Sequence, residues 1–382
     1  MSHSRNLSIS SFCSTLSINP DEFLDLFDNE NFETGVLVTE AHEIVQKHRP
    51  RLIMAATPPG RGSKRYSLDK LLDAMLSYAP NPLGARYVAV ALHLAATKND
   101  EGQSIVMAAK AWLDQFVLPM LTISMDNPSE PSSSQTPTLD ETAQVIESAD
   151  RKEQRGFRTS LAKREDYYCA ITRAFDRERV EYLDAHQRSH EVPHAAAPKM
   201  VAAHIVPLFL NSFDDAGDRK GKTKMRDAAN TWDILKSWTQ IDLRGLAGPK
   251  ISSPPNGIYM TSDDHDYFRA FKFYLDKSAF PNDANKYRAV CLRGRLSNGE
   301  RTSIVEFKDE EPPNPEYLRI HAAFAQVLNH SGAADVLQEL RRDAERMEML
   351  HLDGHIDFGV ALASQLAALC GGGVYGKPQH VY

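Results

Sequence analysis

The chain has 382 residues, 42% of them hydrophobic and 25% charged, a balance that excludes wholesale disorder. Its formal charge is −7, so no overall basic field exists and any contact with a polyanion must come from a local patch. The four cysteines, Cys13, Cys169, Cys291 and Cys370, are far apart and form no CxxC, which excludes a zinc ribbon and a disulfide-dense secreted scaffold.

The first residues, MSHSRNLSISSFCSTLS, lack the apolar core of a signal peptide, and the longest apolar stretches are too short to span a bilayer. The expectation is an intracellular chain, cytoplasmic or nuclear, with no membrane segment. Residues 1–19 are Ser-rich and read as a disordered N-terminus. Pro20-Asp21-Glu22 ahead of Phe23, Leu24, Leu26 and Phe27 reads as a helix start with acids in the first turn. Over 67–77, Ser67 is a candidate cap, and Leu68, Leu71, Leu72, Met75 and Leu76 recur at helical spacing. Tyr87 to Ala96 and Ile105 to Phe116 read as two more helices, so residues 20–125 are expected to form a helical domain.

Nine of the eleven residues from Pro128 to Thr138 are Ser, Thr or Pro. That composition cannot bury a core, and residues 126–140 read as a linker. Residues 141–310 are mixed. Glu141 to Ala174 is helical and then irregular, short apolar runs stand at Val201 to Leu210 and Gly257 to Met260, and a hairpin is expected from Tyr287 to Phe307, turned by Ser297-Asn298-Gly299. Residues 311–369 return to helix. Tyr317, Ile320, Phe324, Val327 and Leu328 form one stripe that Ser331-Gly332 ends, and a charged helix follows from Ala333 to Met349. Residues 370–382 read as a flexible tail. There is no internal repeat, and nothing in the pattern specifies an oligomeric state.

Two motifs lack the context their chemistry needs. Gly371 to Gly376 spells GxGxxG, but no helix can follow it to bind a phosphate. His186, His190 and His194 recur every four residues, yet Pro193 interrupts them, and they read as a solvated loop.

Chemistry concentrates between Arg164 and Leu275. His204 sits in an apolar run closed by Pro207, on a short strand. Asn256 follows two prolines and precedes Gly257, at a turn into a second strand. Ser262 is the expected cap of a helix with Asp263 and Asp264 in its first turn, which places His265 in that turn and gives Tyr267, Phe268 and Phe271 as its packing face. Strand, loop, strand and helix, with one imidazole on each side, suit phosphodiester hydrolysis. A neutral imidazole takes the proton of an attacking water, and a cation at the helix stabilises the leaving oxygen.

The order Ala202-Ala203-His204-Ile205-Val206-Pro207, Asn256-Gly257-Ile258, Asp264-His265-Asp266-Tyr267-Phe268 resembles the HNH endonuclease family, in the branch common among fungal proteins. Cys169-Ala170-Ile171-Thr172 upstream, and the stretches from Pro312 to His321 and from Leu328 to Gly332 downstream, are similar to that branch, so the resemblance covers about residues 160–340. It implies an α+β chain, mainly helical, whose ββα-metal (His-Me finger) core is embedded between the N-terminal helical region and the C-terminal helices. It further implies a metal-dependent endonuclease acting on DNA, most simply double-stranded. His204 is then the general base, Asn256 the central asparagine and His265 the ligand of a divalent metal (Mg2+ first; Mn2+, Ni2+ or Zn2+ as alternatives).

Two positions depart from the family pattern. Arg269 stands where many members carry Asp, and Ala203 stands where other nucleases of the fold place a ligand. Asp263, Asp264 and Asp266 are all open as further ligands, and Arg269 is a candidate phosphate contact. The stretch 217–226 adds Arg219, Lys220, Lys222, Lys224 and Arg226 as candidate nucleic-acid contacts. The alternative is a catalytically degenerate HNH fold kept as a nucleic-acid-binding or protein-interaction module.

Overall fold

A computed structural model describes residues 9–55, 67–117, 120, 155–188, 197–206, 231–241, 243, 246 and 248–335. The Ser/Pro-rich stretch, His190, His194, the basic residues 219–226, the charged helix beyond 335 and the C-terminal glycines lie outside the described residues. The chain divides into two compact units. One comprises residues 1–126, 213–241 and 326–382, and the other 127–212 and 242–325. The described residues 231–241 fall in the first of these units.

The first unit is helical: α1 (Ser10–Leu16), α2 (Pro20–Asp28), α3 (Thr34–Ala55), α4 (Leu68–Ser77), α5 (Pro82–Ala96) and α6 (Glu101–Trp112), the last continued by a π-turn over Leu113–Val117. Local chemistry sets the starts. Asn19 accepts from the Asp21 amide ahead of Pro20, Asn81 from Gly84 ahead of Pro82, and Asp100 from Gln103. Ser67 occupies the cap position of α4 but makes no capping bond; its hydroxyl donates to Asp69 instead. The core is a cluster of rings. Tyr87 meets Trp112 edge-on at 5.4 Å, and Phe116 meets Trp238, on a helical stretch through 231–239, also at 5.4 Å. The Trp238 indole donates to Met75 O at 3.1 Å. Gly84 has no room for a side chain, because an added Cβ would lie 1.9 Å from Trp238 O.

The second unit holds helical stretch α7 (155–164), α8 (Arg177–Ala185), β1 (Met200–His204), β2 (Gly257–Thr261), α10 (Ser262–Arg269), β3 (Phe273–Asp276), β4 (Lys286–Cys291), β5 (Thr302–Glu306) and the first part of α11 (Pro315–Ser331), with α9 naming the 231–239 stretch of the other unit. β1 pairs antiparallel with β2, Met200 opposite Thr261 and His204 opposite Gly257. β3, β4 and β5 form a separate antiparallel sheet in that order. The expected hairpin is the β4–β5 pair, and Gly299 at φ 84° supplies its turn. β3 is short and was not foreseen from periodicity. Gly332 at φ 78° follows the end of α11, as Ser331-Gly332 suggested.

One buried side chain organises the first unit. Arg86 is 4% exposed and donates to Phe27 O at 2.7 Å, Phe32 O at 2.5 Å, Leu26 O at 3.0 Å and Asn29 O at 2.8 Å. It thereby satisfies the carbonyls at the end of α2 and the turn after it. Arg86→Ala leaves those carbonyls unpaired, and urea unfolding of the full chain is expected to show a loss of about 2–4 kcal/mol; Arg86→Lys, lacking the planar fork, restores little of it.

Candidate active site

β1 ends at His204 and β2 begins at Gly257, so the register sets the histidine opposite the glycine. Helix α7 covers this end. The Phe157 ring stacks on the His204 imidazole at 4.5 Å and 24°. A Cβ on Gly257 would meet Phe157 Cζ at 2.5 Å and Leu161 Cδ1 at 2.6 Å, so only glycine lets the helix come this near. His204 Nε2 lies 3.4 Å from Ser252 Oγ.

Asn256 holds the loop between the strands and is fully buried. Its Oδ1 accepts from the Val206 amide at 2.9 Å, and its Nδ2 donates to Val206 O at 3.0 Å and Ile251 O at 2.9 Å. Its backbone carbonyl accepts from Ile205 N at 3.0 Å. The residue ties the chain just after His204 to the chain just before β2. Arg164, which sequence reasoning left out of the site, clamps the same loop from α7. It donates to Pro254 O at 2.9 Å, Gly257 O at 2.8 Å and Glu311 O at 3.0 Å, and pairs with Glu165 at 2.8 Å. The pair is buried. The sequence signal was there, in a charged Arg164-Glu165 pair a few residues before the apolar Cys169-Ala170-Ile171.

α10 places the second imidazole. The expected cap shifts by one residue: Thr261, the last residue of β2, accepts from the Asp264 amide at 3.1 Å, and Ser262 is the first helical residue. Asp264 is consumed by structure. Its carboxylate accepts from Thr261 Oγ1 at 2.7 Å, Ser297 N at 2.8 Å and Ser297 Oγ at 2.6 Å. Asp263 is exposed and two residues before His265, off its face of the helix. Asp266 is 60% exposed and pairs with Arg269 at 3.1 Å; its Oδ1 is 4.0 Å from His265 Nδ1. The helix ends at Arg269, so Phe271 belongs to the following turn at φ 54° rather than to a helical aromatic face. Behind α10, His321 of α11 stacks on Phe268 at 3.7 Å and 6°, and its Nε2 donates to Phe268 O at 3.1 Å.

Helix α10, which bears His265, packs against β1, which ends at His204. Burial, and after it the charge of His265, hold the His204 imidazole down at about 4. Burial, and after it the Arg269 guanidinium, hold His265 down at about 4, with Asp266 opposing. Both rings are neutral at pH 7. Among the described residues no three His, Cys, Asp or Glu side chains are grouped to hold a metal ion. Among the described residues the carboxylates around His265 do not complete a divalent-cation set: Asp264 accepts from Thr261 and Ser297, Asp266 is engaged by Arg269, and Ala203 is buried and offers a methyl group. Arg269 thus sits at the site, while Arg219, Lys220, Lys222, Lys224 and Arg226 lie outside the described residues.

Two outcomes follow from this geometry. Asn256→Ala removes three buried hydrogen bonds and is expected to cost about 2–4 kcal/mol in chemical denaturation; Asn256→Asp, which cannot donate to the Val206 and Ile251 carbonyls, costs a similar amount. Acid destabilises the fold through histidine. His204 and His265 titrate at about 4 and His321 at about 3 when folded, against 6.5 as the ordinary value. The unfolded chain takes up these protons first, so stability is whole above 6.5 and falls as pH drops toward 4 and then 3. His321→Gln is expected to flatten the lowest part of that decline in a series of urea melts across pH.

No curated protein and no solved structure matches the chain. Residues 169–276, which contain His204, Asn256 and His265, match the model of the HNH endonuclease family.

Proposed function

We propose that the segment hydrolyses phosphodiester bonds of nucleic acid, with DNA, and most simply double-stranded DNA, as the substrate. The observation that carries the reading is the strand, loop, strand and helix arrangement in which His204 ends β1, Asn256 closes the loop before β2, and α10, which bears His265, packs against β1 and β2. His204 is the general base. Burial keeps its ring neutral at pH 7, so it can take the proton of a water whose oxygen attacks phosphorus. The bond from phosphorus to the leaving oxygen then breaks, and that oxygen takes a proton from solvent. Asn256 positions the base by closing the loop beneath it. His265, neutral and half-buried, lines the other side and can donate a ring N–H to a phosphate oxygen.

One observation favours a second reading. The Arg269–Asp266 ion pair beside His265 fits a module that binds phosphate without cutting it. A nicking assay on supercoiled DNA separates the two. Cutting is expected from the wild-type chain, and His204→Ala is expected to lower it about 10²–10⁴-fold while binding persists. On the acid side the rate should fall tenfold per pH unit below about 4, the value of the His204 ring, and be level well above it. DNA binding with no cutting by the wild-type chain selects the binding module; cutting that survives His204→Ala removes the assignment of the base.

A further inference from the structure

Resting on the assignment of His204 as the general base, we infer that Ser252 is a positioning residue for it: the serine hydroxyl accepts a hydrogen bond from His204 Nε2–H, which leaves the lone pair of Nδ1 for the proton of the attacking water. Three observations carry this. First, the fold brings Ser252 Oγ to 3.4 Å from His204 Nε2 across 48 positions of the chain, from a 3-10 turn (Gly248–Ser252) ahead of β2. Second, one buried amide holds both partners. Asn256 Nδ2 donates to Val206 O, two residues after His204, and to Ile251 O, the residue before Ser252. Third, Phe157 stacks on the face of the ring at 4.5 Å and 24°, so the hydroxyl meets the edge of a ring whose plane is already set.

The direction of the bond follows from the role. A neutral imidazole carries one N–H, and the hydrogen bond at one nitrogen decides whether the other keeps its lone pair. If the hydroxyl donated, Nε2 would spend its lone pair on Ser252, Nδ1 would carry the proton, and no lone pair would remain for water. A general base requires the hydroxyl to accept. As the water oxygen bonds to phosphorus, the water proton passes to Nδ1. The ring is then a cation that still donates Nε2–H to Ser252, and a charged donor makes the stronger bond. The serine therefore favours the transition state over the ground state.

The test joins two readouts on the full chain: ring-nitrogen chemical shifts of isotope-labelled histidine, which separate the two neutral tautomers, and steady-state nicking of supercoiled DNA. His204→Ala identifies the His204 signals by their loss. The wild-type ring is expected to carry its proton on Nε2 at pH 7. Ser252→Ala is expected to mix the tautomers and to lower kcat about ten-fold, with KM changed by no more than about two-fold. Ser252→Thr, which keeps the hydroxyl, should return the tautomer and most of the rate. A wild-type His204 ring protonated on Nδ1 overturns the inference, as does a fall in rate that Ser252→Thr does not restore. Cutting that His204→Ala abolishes and Ser252→Ala leaves unchanged removes the inference and leaves the nuclease reading standing. A wild-type chain that does not cut removes both.

Discussion

The geometry of the site depends on one buried amide. The Asn256 side chain has an acceptor and two N–H donors, and it spends all of them on backbone groups of Val206 and Ile251. These bonds close the chain between the residue after β1 and the residue before β2. Because His204 is the last residue of β1, the closure sets where its ring stands. The Arg164 guanidinium acts on the same loop from outside, through the carbonyls of Pro254 and Gly257. Unpaired, these buried polar groups would each carry a desolvation cost; paired, they define one loop conformation.

The same economy explains the electrostatics. Acidic residues are plentiful in the sequence around His265, but the structure uses them for folding. Asp264 at the start of α10 receives the Ser297 turn, so one carboxylate both supports the helix start and anchors the β4–β5 connection. Beside the imidazole, the remaining acid, Asp266, answers Arg269 at 3.1 Å.

Much of the helical architecture was readable. The apolar spacing of Leu68, Leu71, Leu72, Met75 and Leu76 returns as α4, and the start read at Pro20 returns as α2, because periodicity and local capping act within a turn or two. Caps chosen by residue type alone were less secure. Ser67 bonds Asp69, and Thr261 rather than Ser262 caps α10, since a strand end and a neighbouring carboxylate decided which hydroxyl was placed to accept. β3 escaped notice because four residues carry almost no periodic signal and are defined by pairing with β4.

By itself the sequence determined the order of the chemistry: an imidazole on a strand, an asparagine at a turn, an imidazole in the first turn of a helix. It did so because these features rest on neighbours a few residues away. The tertiary structure alone decided what surrounds them. Phe157 reaches the His204 ring across 47 positions because Gly257 has no side chain to stop it, and Ser297 takes the Asp264 carboxylate across 33. Contacts of that separation depend on how the elements pack, and no local pattern encodes them.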